Sequence, residues 1–293
     1  MYKNNICILC NSQKIFVFKK KKIIENLSTK NLNISDKDYG LTLKLYKCSN
    51  CNFIFANRSD CNQFYSFYKN MKDYDYVKTE KQRYFQLKNL IEIYLKKFKK
   101  PQKHLDIGAG SGILTSIMKN KKIDSLGIEP SSYLKLFAKK NKRNVKSIQL
   151  KKLVNNNLKF DLITLIDVIE HVNNPGLILE YSHKLLETNG NILIVTPNTD
   201  SVAAKILNFK WWHYRVAHIN YFNSKNLDFL LSKKKFFYLN KFYPSWTFSL
   251  NYFFDRVCQY MSFFKIIKKI IYKKKFFINI NFFDSIAVIY KKS

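Results

Sequence analysis

Apolar and polar positions alternate along the middle of the chain in a way that predicts strands and helices in turn. Short apolar runs predict strands over residues 104–108, 125–129, 145–149, 160–167 and 191–196. Segments with helical spacing of apolar residues separate these runs, over residues 113–120, 132–140 and 175–187. Strands that alternate with helices predict an α/β fold, in which helices cover both faces of a parallel sheet.

The flanking regions divide the chain into three predicted parts. Short β-type runs at residues 14–19, 41–47 and 52–56 predict a small β-rich module over residues 1–70. Residues 71–100 are expected to form a connecting helix, because helical spacing of apolar residues runs over residues 80–98. The remaining domain, residues 101–293, is predicted to continue with a helix at 224–232, strands at 236–242 and 282–290, and a helical segment at 249–275.

A glycine-rich turn follows the first strand of the central series, with the residues Asp106, Gly108, Gly110 and Gly112. Such a turn lets the backbone approach a ligand closely, and the amides of the next helix bind its anionic group. Glu129, at the end of the next strand, is placed to accept hydrogen bonds from both hydroxyls of a ribose. This spacing also fits a dinucleotide-binding domain, but the acid before alternating glycines differs from the dinucleotide pattern.

The acid followed by alternate glycines resembles the class I S-adenosylmethionine-dependent methyltransferase superfamily. Residues 160–163 and 167–172 resemble the fourth strand of that superfamily and its exit, and residues 185–194 resemble its helix, turn and fifth strand. Residues 218–223 resemble a segment that follows the fifth strand in one subgroup. The resemblance covers residues 101–235 and the final strand, and it implies a Rossmann-like, mostly parallel, seven-stranded sheet flanked by helices.

The resemblance also implies roles for single residues toward S-adenosylmethionine. Asp106 and the glycines of the turn line the methionine part of that cofactor, and Glu129 holds the ribose. Asp167 and Val168 lie beside the sulfonium and its methyl group. The contact with the adenine amino group is unassigned, because the region after the third strand has Gln149 and no acid.

Two histidines are expected near the acceptor of the methyl group. A hydroxyl acceptor must lose a proton, and histidine is the usual base near neutral pH, which makes His171 and His218 the candidate catalytic residues. The alternatives are that each histidine caps a helix or orients a loop, or that Glu170 and His171 together position a divalent ion, as in some relatives of that superfamily.

Two Cys-x-x-Cys pairs, Cys7 with Cys10 and Cys48 with Cys51, indicate a structural zinc ion, because each pair chelates a tetrahedral ion through a tight turn. The alternative is a set of free buried cysteines, and Cys61 is a weaker candidate ligand. The pairs together with the methyltransferase motifs resemble a bacterial subgroup that includes sugar C-methyltransferases and other surface-polysaccharide methyltransferases. In that subgroup the module helps to cover the acceptor site, so Tyr65 and Tyr68 either contact the acceptor or pack between domains.

The composition adds a formal net charge of +32, which by itself indicates a nucleic-acid or membrane partner. Lys greatly outnumbers Arg, and the abundant Lys, Asn, Ile and Phe follow the bias of an AT-rich genome, so nucleic acid is the less favoured partner. The aromatic and basic segment 249–275 either binds an anionic membrane surface or packs on the sheet. The first ten residues carry no apolar signal region and no uncharged span is long enough for a membrane, which predicts a cytoplasmic protein, with the inner face of the membrane as the alternative site.

Three functions are consistent with these features. The first is a methyltransferase that acts on a small-molecule, sugar or glycan-type acceptor. The second is an RNA methyltransferase, although residues 167–170 replace the Asn-Pro-Pro-Tyr type motif that serves exocyclic amines. The third is a non-catalytic module that binds zinc and a nucleotide-type ligand, although its glycine and acid positions are intact.

Overall fold

A computed structural model describes residues 6–22, 28–33, 40–251, 253, 254, 258 and 276–293 of the 293-residue chain. Within these residues the strands are β1 (Ile15–Lys19), β2 (Leu45–Cys48), β3 (Ile54–Ala56), β4 (Lys103–Ile107), β5 (Asp124–Ile128), β6 (Val145–Lys146), β7 (Phe160–Ile166), β8 (Leu186–Pro197), β9 (Asn220–Tyr221), β10 (Phe236–Phe242), β11 (Trp246–Ser249), β12 (Phe277–Ile280) and β13 (Ser285–Lys292).

The α-helices of the described residues are α1 (Phe64–Asn70), α2 (Tyr74–Lys78), α3 (Glu80–Lys97), α4 (Ile113–Asn120), α5 (Ser132–Lys140), α6 (Leu150–Asn155), α7 (Pro175–Leu185), α8 (Val202–Leu207) and α9 (Ser224–Lys233). Short 3-10 helices occupy Thr29–Leu32, Arg58–Cys61 and Asn208–Lys210.

Seven strands form the large sheet in the order β10-β13-β8-β7-β4-β5-β6. The five strands from β8 to β6 are parallel, and β13 lies antiparallel between β8 and β10. Because β4, β5 and β7 are neighbours, the loops that follow them meet at one edge of the sheet. The predicted α/β class with a mostly parallel seven-stranded sheet is confirmed.

The helices of the central region begin where the sequence supplies a cap. The side chains of Ser131 and Asn174 accept hydrogen bonds from the first-turn amides of α5 and α7, and Pro175 occupies the first turn of α7. Helix α4 instead begins after Gly112, whose φ of 76° lies in the left-handed region. These signals explain why the predicted ranges of the central helices agree closely with the observed ones.

Four predicted strands differ from the structure. The strand expected over residues 41–47 is Leu45–Cys48, and the one expected over residues 191–196 begins at Leu186, directly after α7. The strand expected over residues 145–149 is only Val145–Lys146, an edge strand paired with β5, and residues 150–155 form α6 instead. The last strand begins at Ser285 and not at residue 282. Asn281 accepts a hydrogen bond from the Phe283 amide in a turn where Phe283 has a φ of 54°, and this turn delays the strand.

A second sheet, in the order β1-β2-β3-β9, joins the N-terminal region to the residues that follow β8. Its fourth strand, β9, pairs Tyr221 with Ile54 and Asn220 with Phe55. One apolar cluster also contains both Phe53 and Leu105, so the core runs on from the N-terminal residues into the large sheet. The side chain of Arg58 is buried and donates to Asn220, which ties the same two regions together.

The aromatic and basic segment 249–275 falls mostly on residues 252, 255–257 and 259–275, which lie outside the described residues. On its near side, β11 pairs with β12 in a two-stranded sheet. Among the residues that the structure describes, none of the helices has both the length and the apolar character needed to span a bilayer.

Candidate functional site

The carboxyl edge of the large sheet is built around the turn between β4 and α4. Gly108, Gly110 and Gly112 all have positive φ, between 54° and 76°. A methyl group on Gly108 would lie 2.5 Å from Val168 Cγ2, and one on Gly112 would lie 2.6 Å from Val145 Cγ2. Both the backbone conformation and the space therefore require glycine at these positions.

Glu129 follows β5 and fixes this turn. One oxygen of its carboxylate accepts a hydrogen bond from the Gly110 amide at 2.9 Å, and the other accepts one from the Ser131 amide at 2.7 Å. Burial raises the pKa of Glu129 to about 7, while the two amide donors lower it. Each oxygen keeps a further lone pair that can accept a ligand hydroxyl.

Asp106 lies on β4 below the same turn and is almost fully buried. Its Oδ1 accepts a hydrogen bond of 2.6 Å from the hydroxyl of Thr164 on β7. Burial raises the pKa of Asp106 to about 7, and the Thr164 hydroxyl opposes that rise. The strand pairing explains this contact, because Asp106 and Thr164 are register partners across β4 and β7.

Asp167 and Val168 follow β7 at the same edge. Asp167 has a φ of 53°, an uncommon conformation for a residue with a side chain, and its amide donates to the Val195 carbonyl at 2.9 Å. Burial raises the pKa of Asp167, and nearby Arg83 is the largest opposing influence. The structure therefore brings all seven residues expected at the cofactor to one edge of the sheet.

The described part of the chain buries five carboxylates almost completely, those of Asp73, Asp106, Glu129, Glu170 and Asp284. All five lie at or beside this edge. Asp73 and Glu129 are electrostatic neighbours of Tyr68. Asp284 and Glu170 are electrostatic neighbours of Asp167. In a chain of net charge +32, this edge is consequently an acidic pocket suited to a cation.

Helix α2 covers the pocket from above, which the sequence did not reveal. The hydroxyl of Tyr76 stands directly over Gly110, and the Arg83 guanidinium lies 3.9 Å from the centre of the Tyr76 ring. Burial raises the pKa of Tyr76, whose charged neighbours include Asp106, Glu129 and Asp167. Tyr76 and Arg83 belong to no sequence motif. Their positions over the pocket depend on how helices α2 and α3 fold back over the sheet, which no local pattern signals.

Tyr65 and Tyr68 of α1 have different surroundings. The Tyr65 side chain is 60% exposed, whereas Tyr68 is half-buried beside Glu129, and its pKa is raised chiefly by burial. Tyr68 therefore belongs to the cover over the glycine turn. Gln149, which lies in the region where the adenine contact is unassigned, is exposed at the start of α6.

His171 and His218 come together although 46 positions separate them, as ring centres 4.7 Å apart in an edge-to-face arrangement. His171 Nδ1 lies 2.8 Å from the Ala217 carbonyl, so it carries the proton and leaves Nε2 as an acceptor. Burial lowers the pKa of His171 to about 4 and places that of His218 well below its usual value. Both imidazoles are therefore neutral at pH 7.

Glu170 joins these histidines in a group that can hold a cation. One ligand atom each from Glu170, His171 and His218 lies within 4.8 Å of the others. The Glu170 carboxylate accepts a hydrogen bond from the Thr196 hydroxyl at 2.9 Å, and burial raises its pKa well above the usual range. This arrangement keeps the sequence-based alternatives open, which are a pair of bases, a divalent-ion site, or histidines that orient a loop, as the contact of His171 with the Ala217 carbonyl also allows.

Two further residues near this group were missed by sequence reasoning. His213 Nε2 lies 3.2 Å from Asp284 Oδ2, and Trp212 Nε1 donates to the same oxygen at 2.7 Å. The ring of His213 stacks on that of His218, with centres 5.8 Å apart. Asp284 lies 71 positions beyond His213, so no local spacing signals this contact.

The four cysteines of the N-terminal pairs form a second constellation. Cys7 and Cys51 have sulfur atoms 3.6 Å apart, as do Cys10 and Cys48, and all four sulfur atoms lie within 4.8 Å of one another. Four thiolates at about 2.3 Å around a tetrahedral zinc ion are about 3.8 Å apart, so the observed spacing fits this ion. Cys61 lies outside the group and is a free buried cysteine.

Each cysteine pair ends in the same local turn. Asn11 and Asn52 follow the pairs with φ of 61° and 58°, and their amides donate to the carbonyls of Cys7 and Cys48, both at 2.9 Å. Asparagine tolerates this left-handed conformation better than other residues with side chains. The hydrogen bond from the Cys51 thiol is the largest influence that lowers the pKa of Cys7, to about 5.

Comparison with known proteins agrees with this architecture. A family model described as a methyltransferase domain matches residues 79–236, more than half of the chain, and the protein belongs to this family. A crystal structure of a SAM-dependent methyltransferase from Archaeoglobus fulgidus superposes with a TM-score of 0.53 at 20% sequence identity, over 75% of this chain and 100% of that chain. This likeness confirms the fold.

Two curated relatives are both named ubiquinone biosynthesis O-methyltransferase. The protein from Pelagibacter ubique (strain HTCC1062) is 32% identical over 124 residues, which is 40% of this chain and 52% of the relative. The protein from Glaesserella parasuis serovar 5 (strain SH0165) is 29% identical over 117 residues, 36% of this chain and 50% of the relative. The chain thus spans about half the length of the curated relatives it matches.

Proposed function

We propose that the protein transfers a methyl group from S-adenosylmethionine to a hydroxyl group of a small-molecule acceptor. The observation that carries this proposal is the buried acidic pocket around the left-handed glycine turn. A sulfonium is a cation, and a buried carboxylate such as that of Asp106 stabilises positive charge more strongly than an exposed one does. When bound, S-adenosylmethionine supplies an activated methyl group, so the remaining task of the protein is positioning.

The residues present fit this cofactor. The glycines at 108, 110 and 112 leave the backbone open to close approach, and Glu129 offers one free lone pair on each oxygen to the two ribose hydroxyls. Asp167 and Val168 stand where β7 ends, next to the glycine turn. Tyr76 and Arg83 close the pocket from above, which excludes water from it.

His171 and His218 serve the acceptor in one of two ways. As bases, they are held in fixed orientation, since the Ala217 carbonyl keeps the proton of His171 on Nδ1 and leaves Nε2 free to accept one. As ligands, the neutral imidazoles hold a divalent ion together with Glu170, and that ion lowers the pKa of a bound hydroxyl. A pKa of about 4 makes His171 a weak base, which favours the second role.

The acceptor class rests on two separate indications. The names of the matched relatives point to methylation of oxygen in ubiquinone biosynthesis. The cysteine pairs, through their resemblance to surface-polysaccharide methyltransferases, point to a sugar or a glycan-type acceptor. The first experiment separates these two acceptor classes.

The test is methyl transfer from S-adenosylmethionine with a labelled methyl group. We would offer a ring with two adjacent phenolic hydroxyls, a nucleotide-linked sugar and an RNA transcript in parallel, with Glu129→Ala as the control. We expect label in one of the two small molecules and none with the control. Label in RNA alone, or no label with any acceptor or with a small-molecule cell extract, would overturn the proposal.

A structural zinc ion in the cysteine cluster is part of the proposed function. It is supported by four free thiols at suitable spacing and by the two matching Asn-terminated turns. All four ligand positions come from protein, so the ion has no open position for catalysis. Its role is to hold the β1–β2–β3 region, whose last strand pairs with β9 beside the proposed acceptor site.

A further inference from the structure

A row of buried polar side chains crosses the large sheet on the face that α3 and α4 cover. His104 and Asp106 point to the same face of β4, because alternate residues of a strand share a face. The strand register places Ser125 of β5 beside His104, and Thr164 of β7 beside Asp106. The surroundings on this face are apolar, including Leu162, Leu193, Val195, Ile113, Leu114 and Ile117.

The row is a continuous chain of hydrogen bonds. Ser125 Oγ lies 2.8 Å from His104 Nδ1, and His104 Nε2 lies 2.9 Å from Thr164 Oγ1. The Thr164 hydroxyl then donates to Asp106 Oδ1 at 2.6 Å. His104 and Thr164 are fully buried, with 0% exposure. Among the described residues these four side chains make up the chain, which ends at the Asp106 carboxylate before the glycine turn.

The Asp106 carboxylate at the end of the chain fixes the direction of each hydrogen bond. An ionised Asp106 can only accept, so the Thr164 hydroxyl must donate to it. The Thr164 oxygen then accepts from His104 Nε2, which therefore carries the proton, and the unprotonated Nδ1 accepts from the Ser125 hydroxyl. His104 is neutral, because burial lowers its pKa to about 3. All three donors thus point toward Asp106.

The location of the chain argues for a role beyond filling the core. Burying a histidine in an apolar face costs free energy unless both ring nitrogens have partners, and an apolar residue would avoid that cost. The titratable groups that face Asp106 are Glu129 beyond β5 and Tyr76 of α2, and neither supplies positive charge. The Thr164 hydroxyl is therefore the contact that favours the ionised form of Asp106.

We propose that Ser125, His104 and Thr164 are positioning residues that hold Asp106 as an oriented carboxylate for the bound cofactor. This inference rests on the proposed function, since it takes Asp106 as a cofactor-binding residue. A proton on Oδ2 of Asp106 would leave Oδ1 as an acceptor and the chain unchanged, whereas a proton on Oδ1 would reverse the whole chain. Asp106 then donates to Thr164, Thr164 donates to His104 Nε2, and His104 donates through Nδ1 to Ser125. The tautomer of His104 therefore changes while its charge does not.

The first test measures S-adenosylmethionine binding by calorimetry as a function of pH. Thr164→Val keeps the shape of the side chain and removes the hydroxyl, whereas Thr164→Ser restores the hydroxyl. We expect Thr164→Val to weaken binding about tenfold or more near pH 7, because a hydrogen bond to a charged group is lost. We also expect its affinity to rise only at higher pH, and Thr164→Ser to bind within about twofold of the wild type.

The second test observes His104 directly by nitrogen-15 NMR of the free protein, with His104→Gln to assign its signals. We expect proton-bearing Nε2 at pH 8.5, where Asp106 is ionised and the chain points toward it. A proton on Nδ1 at this pH overturns the proposal, as does a Thr164→Val protein with wild-type affinity at every pH. If the wild type itself fails to bind the cofactor, the proposed function fails, and the NMR experiment still decides the direction of the chain.

Discussion

The cysteine cluster and the carboxyl edge of the large sheet each gather groups of one chemical kind, but the chain assembles them in different ways. The four thiols come from two copies of one short turn, each closed by an asparagine in the left-handed conformation. The five buried carboxylates come from five separate places between residues 73 and 284. The first constellation depends on local spacing, and the second depends on the topology of the sheet.

This difference extends to what holds each constellation together. The carboxylates are fixed by strand pairing and by backbone amides, as at Glu129, so their arrangement persists without a ligand. The thiol cluster lies among short strands, β1, β2 and β3, of three to five residues, and shares the large sheet's core only through buried residues such as Cys7 and Cys48. We therefore expect the thiol cluster to need its cation for stability, and the carboxyl edge to need its cation only for function.

The largest expected effect is the loss of the cation from the cysteine cluster. Structural zinc contributes on the order of 10 kcal/mol to the folding of small zinc domains, so Cys48→Ser should abolish zinc binding and unfold the β1–β2–β3 region. Zinc content by atomic absorption and amide hydrogen exchange of residues 6–56 would measure both. Cys258→Ser is the matched control. A wild-type protein that folds without metal, with Cys48→Ser equally protected, would refute this prediction.

The next effect concerns the acceptor side of the edge. His171→Ala and His218→Ala should each lower kcat by about 100-fold, whether the imidazoles act as bases or as ligands of an ion. His183→Ala, a histidine on α7 outside the site, should leave kcat unchanged. Loss of turnover in a chelator, with recovery on adding a divalent ion, would identify the ligand role. Normal turnover in both variants would show that neither histidine acts as a base or as an ion ligand in catalysis.

A smaller effect concerns the carboxyl edge alone, where the ionisation of Asp106 makes the free energy of unfolding depend on pH. The pKa of Asp106 is raised from 3.8 to about 7, so the folded protein binds this proton more tightly than the unfolded chain does. The stability that this proton contributes is present at pH below 3.8 and is lost as the pH rises through about 7. Asp106→Asn, which cannot ionise, should therefore gain on the order of 2 kcal/mol over the wild type at pH 8.

Urea unfolding at both pH values measures this gain. Any loss of zinc in acid affects both proteins equally, so the difference between them isolates Asp106. We expect the gain of Asp106→Asn to be clearly smaller at pH 5 than at pH 8, and to approach zero only below pH 3.8. A difference that is the same at pH 5 and pH 8 would show that Asp106 is ionised throughout this range.

The smallest effect concerns an ion pair that braces the glycine turn. Arg143 contacts the Glu80 carboxylate through both terminal nitrogens and also donates to the Ser111 carbonyl at 2.8 Å, with only 15% of its side chain exposed. Arg143→Met should lower the free energy of unfolding by about 1–2 kcal/mol. Lys184→Met, from an exposed pair with Glu180, should cost less than about 0.5 kcal/mol. Equal losses in the two variants would contradict this prediction.

Local signals allowed the cofactor side to be predicted from the sequence. Each expected residue lies at or shortly after the carboxyl end of a strand of a parallel sheet, and such strand ends meet at one edge of the sheet. Asp106, the glycines, Glu129 and Asp167 were therefore expected together, and the structure brings them together.

The cover and the acceptor side depend on contacts between distant segments, which no local pattern signals. Tyr76 stands over Gly110 only because α2 folds back across the sheet. His213 meets Asp284 because the turn before β13 passes beside the segment that follows β8. The chain of hydrogen bonds through His104 and Thr164 also depends on the register of three strands. The sequence shows only a histidine within a predicted strand and does not reveal these pairings.

The most direct test of the account is calorimetric binding of S-adenosylmethionine to the zinc-loaded protein at pH 8, with Glu129→Ala as the control. We predict binding in the micromolar range, about −8 kcal/mol, weakened at least about 100-fold in the variant because two charge-assisted hydrogen bonds to the ribose are lost. A folded, zinc-loaded wild type that binds no S-adenosylmethionine would contradict the central claim and leave a Rossmann-like binding protein.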